Sequence, residues 1–349
     1  MKGIAYAMQA ALLFGASTPF AKLLLTETSP LLLAGLLYLG AGIGLALWIA
    51  ARRGLGFLGV PDEAALSLRD LPWLGGAILA GGVLGPILLM TGLQLTPATS
   101  ASLLLNLESV FTTLIAWFVF RENFDRRIAA GMLVIVAASL LLSWPGSLEF
   151  GSMWGSLCII GACGCWAMDN NLTRQVSACD PLQIACIKGL VAGSVSTGMA
   201  LFGGMTLPAP GMVAAAAVVG FLGYGLSLAL FILALRHIGV ARTGAYFALA
   251  PFIGAILSLV MLGEVPGLLF WIAAALMMLG LWLHLSEQHD HEHRHDESAH
   301  DHQHRHDEHH QHSHNFPWDG REPHTHGHYH AGLRHSHPHF PDIHHRHDH

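Results

Sequence analysis

The chain has 349 residues, 53% of them hydrophobic and only 11% charged, with a formal charge of −6 and a mean hydropathy of +0.49. A soluble globular protein carries about 25% charged residues, and residues 289–349 alone hold 23 of the 25 histidines, leaving only 24 acidic or basic side chains for the first 288 residues. So few charges exclude a water-covered surface of that size and point to lipid; no basic patch suggests a nucleic-acid partner.

From the N-terminus, Met1-Lys2-Gly3 leads into an apolar segment. It is too long for a signal peptide core, and further apolar segments follow it, so it reads as a retained first span. A span needs about 20 mostly apolar residues. Ten segments qualify: 4–25, 31–50, 72–93, 99–120, 128–144, 153–175, 181–202, 211–235, 241–262 and 266–286. The expected fold is therefore all-α with ten transmembrane helices. The 39 glycines scattered through them suit close helix packing in lipid. Trp48, Trp73, Trp117, Trp144, Trp154, Trp271 and Trp282 fall near segment ends, as interfacial anchors do.

The bases set an orientation. With the N-terminus inside, the inner segments hold Lys2, Arg52, Arg53, Arg69, Arg121, Arg126, Arg127, Arg174, Arg236 and Arg242, and the outer loops hold none. This places both termini in the cytoplasm and the protein in a bacterial-type inner membrane.

An internal repeat divides the spans. Gln94-Leu95-Thr96-Pro97 through Glu122 lies on Arg236-His237-Ile238-Gly239 through Glu264 at an offset of 142. Phe14-Gly15 through Lys22 matches Trp166-Ala167 through Arg174, and Ser29-Pro30 matches Asp180-Pro181. Five spans per repeat is an odd number, so the second copy is inverted, as in many transporters. The expected divisions are 1–144 for the first five-helix repeat, 145–288 for the second, and 289–349 for a tail.

Two such repeats resemble EamA-type permeases of the drug/metabolite transporter superfamily. The resemblance rests on Ser109 to Glu122, on Ala250-Pro251-Phe252 to Leu262-Gly263-Glu264, and on Asp180-Pro181 followed seven residues later by Lys188. The first repeat departs from it, with Leu37 where that base would fall and Glu108-Ser109 where the second has Ala250-Pro251. The resemblance implies an exporter of small solutes rather than an enzyme. It also implies a link to metal resistance, since nickel and cobalt exporters occur in the superfamily.

Charged groups in mid-span are costly, roughly 2.5–3.5 kcal/mol each on insertion scales, and mark function by default. Glu108, Asp169 and Lys188 are the candidates, with Thr112 on the face of Glu108 and Asn170 beside Asp169. They line a route between the repeats, with a carboxylate carrying a proton as coupling ion, or Lys188 neutralises one acid in a structural ion pair; the two readings are compatible, because three charges cannot all pair one to one. Cys158, Cys165 and Asp169 fall on one helical face, where a thiophilic cation would need further ligands from Glu108 or Cys186. Small packing side chains are the plainer reading of these and of the other cysteines, Cys163 and Cys179. His237 and His284 read as interfacial.

From His289 the text becomes His-x-His: His289, His291, His293 and His295, then His300, His302, His304 and His306, then His324, His326, His328 and His330. With few aliphatic residues the tail is expected to be disordered. Its imidazoles suit nickel, cobalt or zinc, or make it a pH-responsive or solubilising appendage. Three functions follow: a proton-driven exporter of divalent nickel or cobalt, then zinc, loaded by the tail; an exporter of an amino acid or other small organic metabolite; or a membrane-tethered metal buffer or sensor. No cofactor is required, and oligomeric state stays open.

Overall fold

The computed structural model describes residues 2–54, 66–68, 70–120, 126–143, 153–176, 179–285, 290–295, 298–304, 324–330 and 333–338. Up to residue 285 the described chain is helical. α1 is Lys2–Leu24 and α2 Pro30–Gly54. α3 (Leu71–Ala77) passes into a π-helical turn, Ile78–Leu84, and on into α4 (Gly85–Leu95). α5 (Ala98–Leu104), α6 (Leu107–Phe120), α7 (Arg126–Ser143), α8 (Trp154–Val176) and α9 (Pro181–Phe202) follow. α10 (Pro210–Gly220) enters a second π-helical turn, Phe221–Leu226, that leads into α11 (Ser227–Phe247), then α12 (Ala250–Leu262) and α13 (Leu268–Leu285).

Among the described residues, six helical stretches are long and apolar enough to cross a membrane: Gly3–Leu24, Pro30–Arg52, Leu71–Leu95, Ala98–Val119, Pro181–Phe202 and Pro210–Ala234. Ala129–Leu142, Ala250–Leu262 and Leu268–Leu283 are shorter apolar helices. α8 is long enough, but Asp169, Asn170, Asn171 and Arg174 lower its hydropathy. Large apolar side chains face outward, among them Leu47, Phe118, Leu133, Val260 and Trp282, each more than half exposed. Such a surface is stable in lipid and not in water.

Local chemistry sets several ends. Asp180 caps α9, its Oδ1 accepting from the Leu182 and Gln183 amides at 2.8 and 3.4 Å, with Pro181 in the first turn. Gly263, at φ 64°, ends α12 in the left-handed conformation that only a residue without Cβ adopts freely.

Two boundaries differ from the sequence reading. Span 99–120 is not one helix but breaks at Leu105–Asn106. There the Asn106 Nδ2 donates to the Leu103 carbonyl at 3.0 Å and Ser109 Oγ to the Asn106 carbonyl at 2.7 Å, side chains competing with the helical ladder. In the second half the expected loop after residue 235 is absent. α11 continues to Phe247, because nothing between Arg236 and Tyr246 interrupts it, and stops where Pro251 lacks the N–H that would bond the Phe247 carbonyl.

α2 packs along α9, α7 along α13, α1 along α11 and α12, and α8 along α4 and α6. α5 lies against α12. Without a hydrophobic drive between helices in lipid, close backbone approach matters. At the α2–α9 crossing, a Cβ on Gly189 would lie 2.5 Å from the Gly42 amide nitrogen.

The tail departs from the disorder expected of it. β1 (Asp290–His295) pairs antiparallel with β4 (Leu333–Pro338), and β2 (Ser298–His304) with β3 (His324–His330). A ladder draws on backbone hydrogen bonds, which low apolar content does not forbid. The register sets His291 opposite His337, His293 opposite His335, His300 opposite His328, and His302 opposite His326. His289 and His306 lie outside the described residues.

Candidate functional site

α8 carries the centre of the site. Asp169 and Lys188 of α9 form a buried ion pair, Nζ lying 2.5 and 2.8 Å from the two carboxylate oxygens. Thr173, one turn beyond Asp169, donates to Oδ1 at 2.8 Å and accepts from Lys188 at 3.3 Å. Lys188 is 1% exposed, so the pair has little water to solvate it. Of the two sequence readings for these charges, the ion pair is realised between Lys188 and Asp169, and Glu108 is left outside it.

The break after α5 positions Glu108. It falls in the first turn of α6 instead of mid-helix, and its Oε1 accepts from the Asn170 Nδ2 at 2.7 Å. Asn170, beside Asp169 in sequence, thus bridges α8 to Glu108 of α6. Thr112 does not reach the cavity. Its hydroxyl is buried without a partner, and its carbonyl lies 3.5 Å from the Asn171 Nδ2.

Glu108, Asp169, Asn170 and Lys188 line one cavity of about 70 Å³. At roughly 10–15 Å³ per water, that is room for a few waters or a small solute group. Sequence reasoning missed the rest of its wall: Phe14, Tyr38, Trp166, Tyr224, Phe231 and Phe247. Their rings touch in series, Phe14 to Trp166 at 5.6 Å, Phe14 to Tyr224 at 5.9 Å, Tyr38 to Tyr224 at 5.4 Å and Phe231 to Phe247 at 4.8 Å. The available signal was position, because these aromatics fall inside spans and not at the interfacial ends where Trp and Tyr collect.

Both π-helical turns border the cavity. The Gly81 carbonyl, in the first, accepts from the Tyr38 hydroxyl at 2.7 Å and the Trp166 Nε1 at 3.0 Å. A wider turn frees backbone carbonyls for such bonds, which is why π turns recur at functional sites. A Cβ on Gly81 would sit on the Asp169 carboxylate. Gly223 and Tyr224 of the second turn also line the cavity.

At the far end of α12, Glu264 accepts from the Ala98 and Thr99 amides, both at 2.9 Å, and so satisfies the open N-terminus of α5. Lys22 donates to the Leu93 and Thr96 carbonyls, the latter at 2.8 Å, and closes the same corner. Glu122, the repeat counterpart of Glu264, lies outside the described residues.

The cysteines do not assemble a metal site. Cys186 donates to the Gly42 carbonyl at 3.4 Å, Cys163 to Leu104 at 3.6 Å, and all five are free thiols. Among the described residues no group of three or more His, Cys, Asp or Glu could hold a metal ion. His237 lies within α11, bonded to the Leu233 carbonyl and edge-on to Tyr6.

The profile of the EamA-like transporter family matches residues 1–144 and 153–286. The chain belongs to the EamA-like transporter family. This is a membrane transporter, and the family's activity is transport rather than catalysis. An uncharacterized transporter of Methanothermobacter thermautotrophicus is 28% identical over 78% of this chain and 83% of its own length. Another, of Archaeoglobus fulgidus, is 26% identical over 80% of this chain and 95% of its own. A probable 4-amino-4-deoxy-L-arabinose-phosphoundecaprenol flippase subunit ArnE of Pseudomonas fluorescens is 41% identical, over only 24% of this chain and 73% of its own. A solved crystal structure superposes with a TM-score of 0.60 at 18% identity, covering 80% of this chain and 94% of its own, which is a likeness of fold.

Proposed function

We propose that this EamA-family protein is a secondary exporter that carries a small organic metabolite through the aromatic cavity between Glu108 and the Asp169–Lys188 pair. We further propose ten spans in two inverted five-helix halves, both termini cytoplasmic, with a proton as coupling ion. The observation that carries this reading is the cavity itself: Glu108, at the start of a broken span, and the Asp169–Lys188 pair meet aromatic walls contributed by both halves, with a π-helical turn supplying Gly223 and Tyr224. Discontinuous helices facing a site between repeats are how many secondary transporters bind their solutes.

Matched contacts support the inverted halves. Gly81 packs on Asp169 and Gly223 on Ser17. Those residues correspond under the repeat offsets that also pair Phe14 with Trp166. α8 meets α4 as α1 meets α11, and α8 meets α6 as α1 meets α12. The bias of Lys and Arg toward one set of loops supports cytoplasmic termini in an inner membrane. A cavity of about 70 Å³ favours a small solute over the lipid-linked sugar named for the ArnE relatives.

A second reading keeps divalent nickel, cobalt or zinc as the exported species, loaded from the histidine tail. The histidine-to-histidine register of the tail ladders favours metal binding there. The aromatic wall, which offers no ligands to a bare metal ion, favours the organic solute. One set of cells separates these readings from a tethered buffer. Cells carrying the full chain, the chain truncated after Glu287, or Glu108→Gln are compared for metal accumulation and for efflux of amines and amino acids. Organic efflux that survives truncation and fails with Glu108→Gln is the expected result. Metal accumulation lowered by the full chain and restored by Glu108→Gln would replace it with metal export. Metal retention that follows the tail alone, with no efflux of any solute, would leave a buffer.

A further inference from the structure

Given the transport cavity proposed above, on which this inference rests, we infer that its solute is a monovalent organic cation: an amine or quaternary ammonium on a small apolar body. Most polar side chains of the cavity are already engaged. Lys188 and Thr173 engage both Asp169 oxygens. The Tyr38 hydroxyl and the Trp166 Nε1 are committed to the Gly81 carbonyl, and Ser227 donates to the Ala10 carbonyl at 2.9 Å. The Asn170 amide donates to Glu108 Oε1. The ion pair of the site joins Lys188 to Asp169 and not to Glu108.

Counting charges, Asp169 and Lys188 cancel, and the Glu108 carboxylate remains with a neutral donor, Asn170. A lone carboxylate accepts and does not donate, so an anionic solute group meets repulsion there. A zwitterion would bring a carboxylate as well, and the cavity's cation, Lys188, is already held by both Asp169 oxygens. A cation neutralises Glu108, and six aromatic rings around it supply ring faces attractive to positive charge, each worth about 0.5–2 kcal/mol according to desolvation. The rings that have used their polar edges on Gly81 are left as apolar walls for the body of the solute.

The test uses the full chain, purified and reconstituted, and four probes of similar size: phenethylammonium, benzyltrimethylammonium, the phenylalanine zwitterion and 3-phenylpropionate. Binding is read by calorimetry and movement by currents in proteoliposomes. The two cations are expected to bind at least tenfold tighter than the zwitterion and the anion, and to lose at least tenfold in Glu108→Gln. The comparison among probes on the unaltered protein needs no variant to fold. A zwitterion or anion that binds as tightly as the cations, or binding of none of the four, overturns the cation assignment. If such binding still weakens in Glu108→Gln, the cavity stands as the solute site and only the solute class is wrong. If Glu108→Gln changes neither binding nor flux of any probe, the cavity reading falls with it.

Discussion

Removing the charge of Lys188 gives the sharpest test of how this interior is held together. Lys188 is 1% exposed and Asp169 7%, and Nζ makes two charged bonds to the carboxylate and one to Thr173. In Lys188→Met the methylenes are largely replaced, but Asp169 is left as a buried charge with only the Thr173 hydroxyl facing it. Breaking a buried pair on one side costs about 3–5 kcal/mol, because the orphaned charge has lost its hydration and its partner. Asp169→Asn strands Lys188 in the same way and falls in the same range. The double variant buries no charge, so its loss should be under about 2 kcal/mol, far from the sum of the singles. All four proteins are unfolded in mixed micelles by titration with SDS, and the coupling energy is read from the cycle. Additivity within about 0.5 kcal/mol would refute the reasoning, since it would mean each group finds other partners or water.

Four further outcomes follow. Gly81→Ala places a methyl on the Asp169 carboxylate and should destabilise the protein by about 1–3 kcal/mol in the same titration. Gly75→Ala, two turns earlier with open space around it, should be neutral or slightly stabilising. Glu264→Ala removes both acceptors from the start of α5 and should cost about 2 kcal/mol, with faster hydrogen exchange at the Ala98 and Thr99 amides; unchanged exchange there would deny the cap. Truncation after Glu287 should abolish most nickel and zinc binding measured by equilibrium dialysis, while leaving the SDS unfolding midpoint of the helical part unchanged.

The helices were legible because lipid imposes a simple rule, long apolar runs, that α1, α2 and α9 obey closely. Glu108, Asp169 and Lys188 were legible for the complementary reason: an isolated charge in such a run is conspicuous. What the rule misses is any interruption that leaves hydropathy untouched. Asn106 and Pro251 break their helices at repeat-related places by different chemistry, one by side-chain competition and one by a missing N–H. Neither changes the apolar count enough to be seen. The π turns at Ile78–Leu84 and Phe221–Leu226 are likewise hidden, being runs of Gly, Leu, Ile, Val and Tyr with no polar marker. Partner choice was hidden too. Spacing along α8 put Asp169 near Cys158 and Cys165, but tertiary packing gave it Lys188 and Thr173.

These hidden features are the ones that make the site. Were α5 and α6 a single helix, Glu108 would be one more mid-helix side chain. The break leaves it in the first turn of a half-helix, where the dipole favours its charge. Were α3 and α4 a regular helix, the Gly81 carbonyl would bond its own ladder and not Tyr38 and Trp166, and those rings would need other partners for their polar edges. Backbone irregularity at membrane depth persists only where protein or a cavity covers it. A variant that restores regular helix geometry, such as Asn106→Leu, should therefore gain helix stability while weakening Asn170–Glu108 contact and solute binding. Improved unfolding resistance with binding intact would show that the break is incidental to the site.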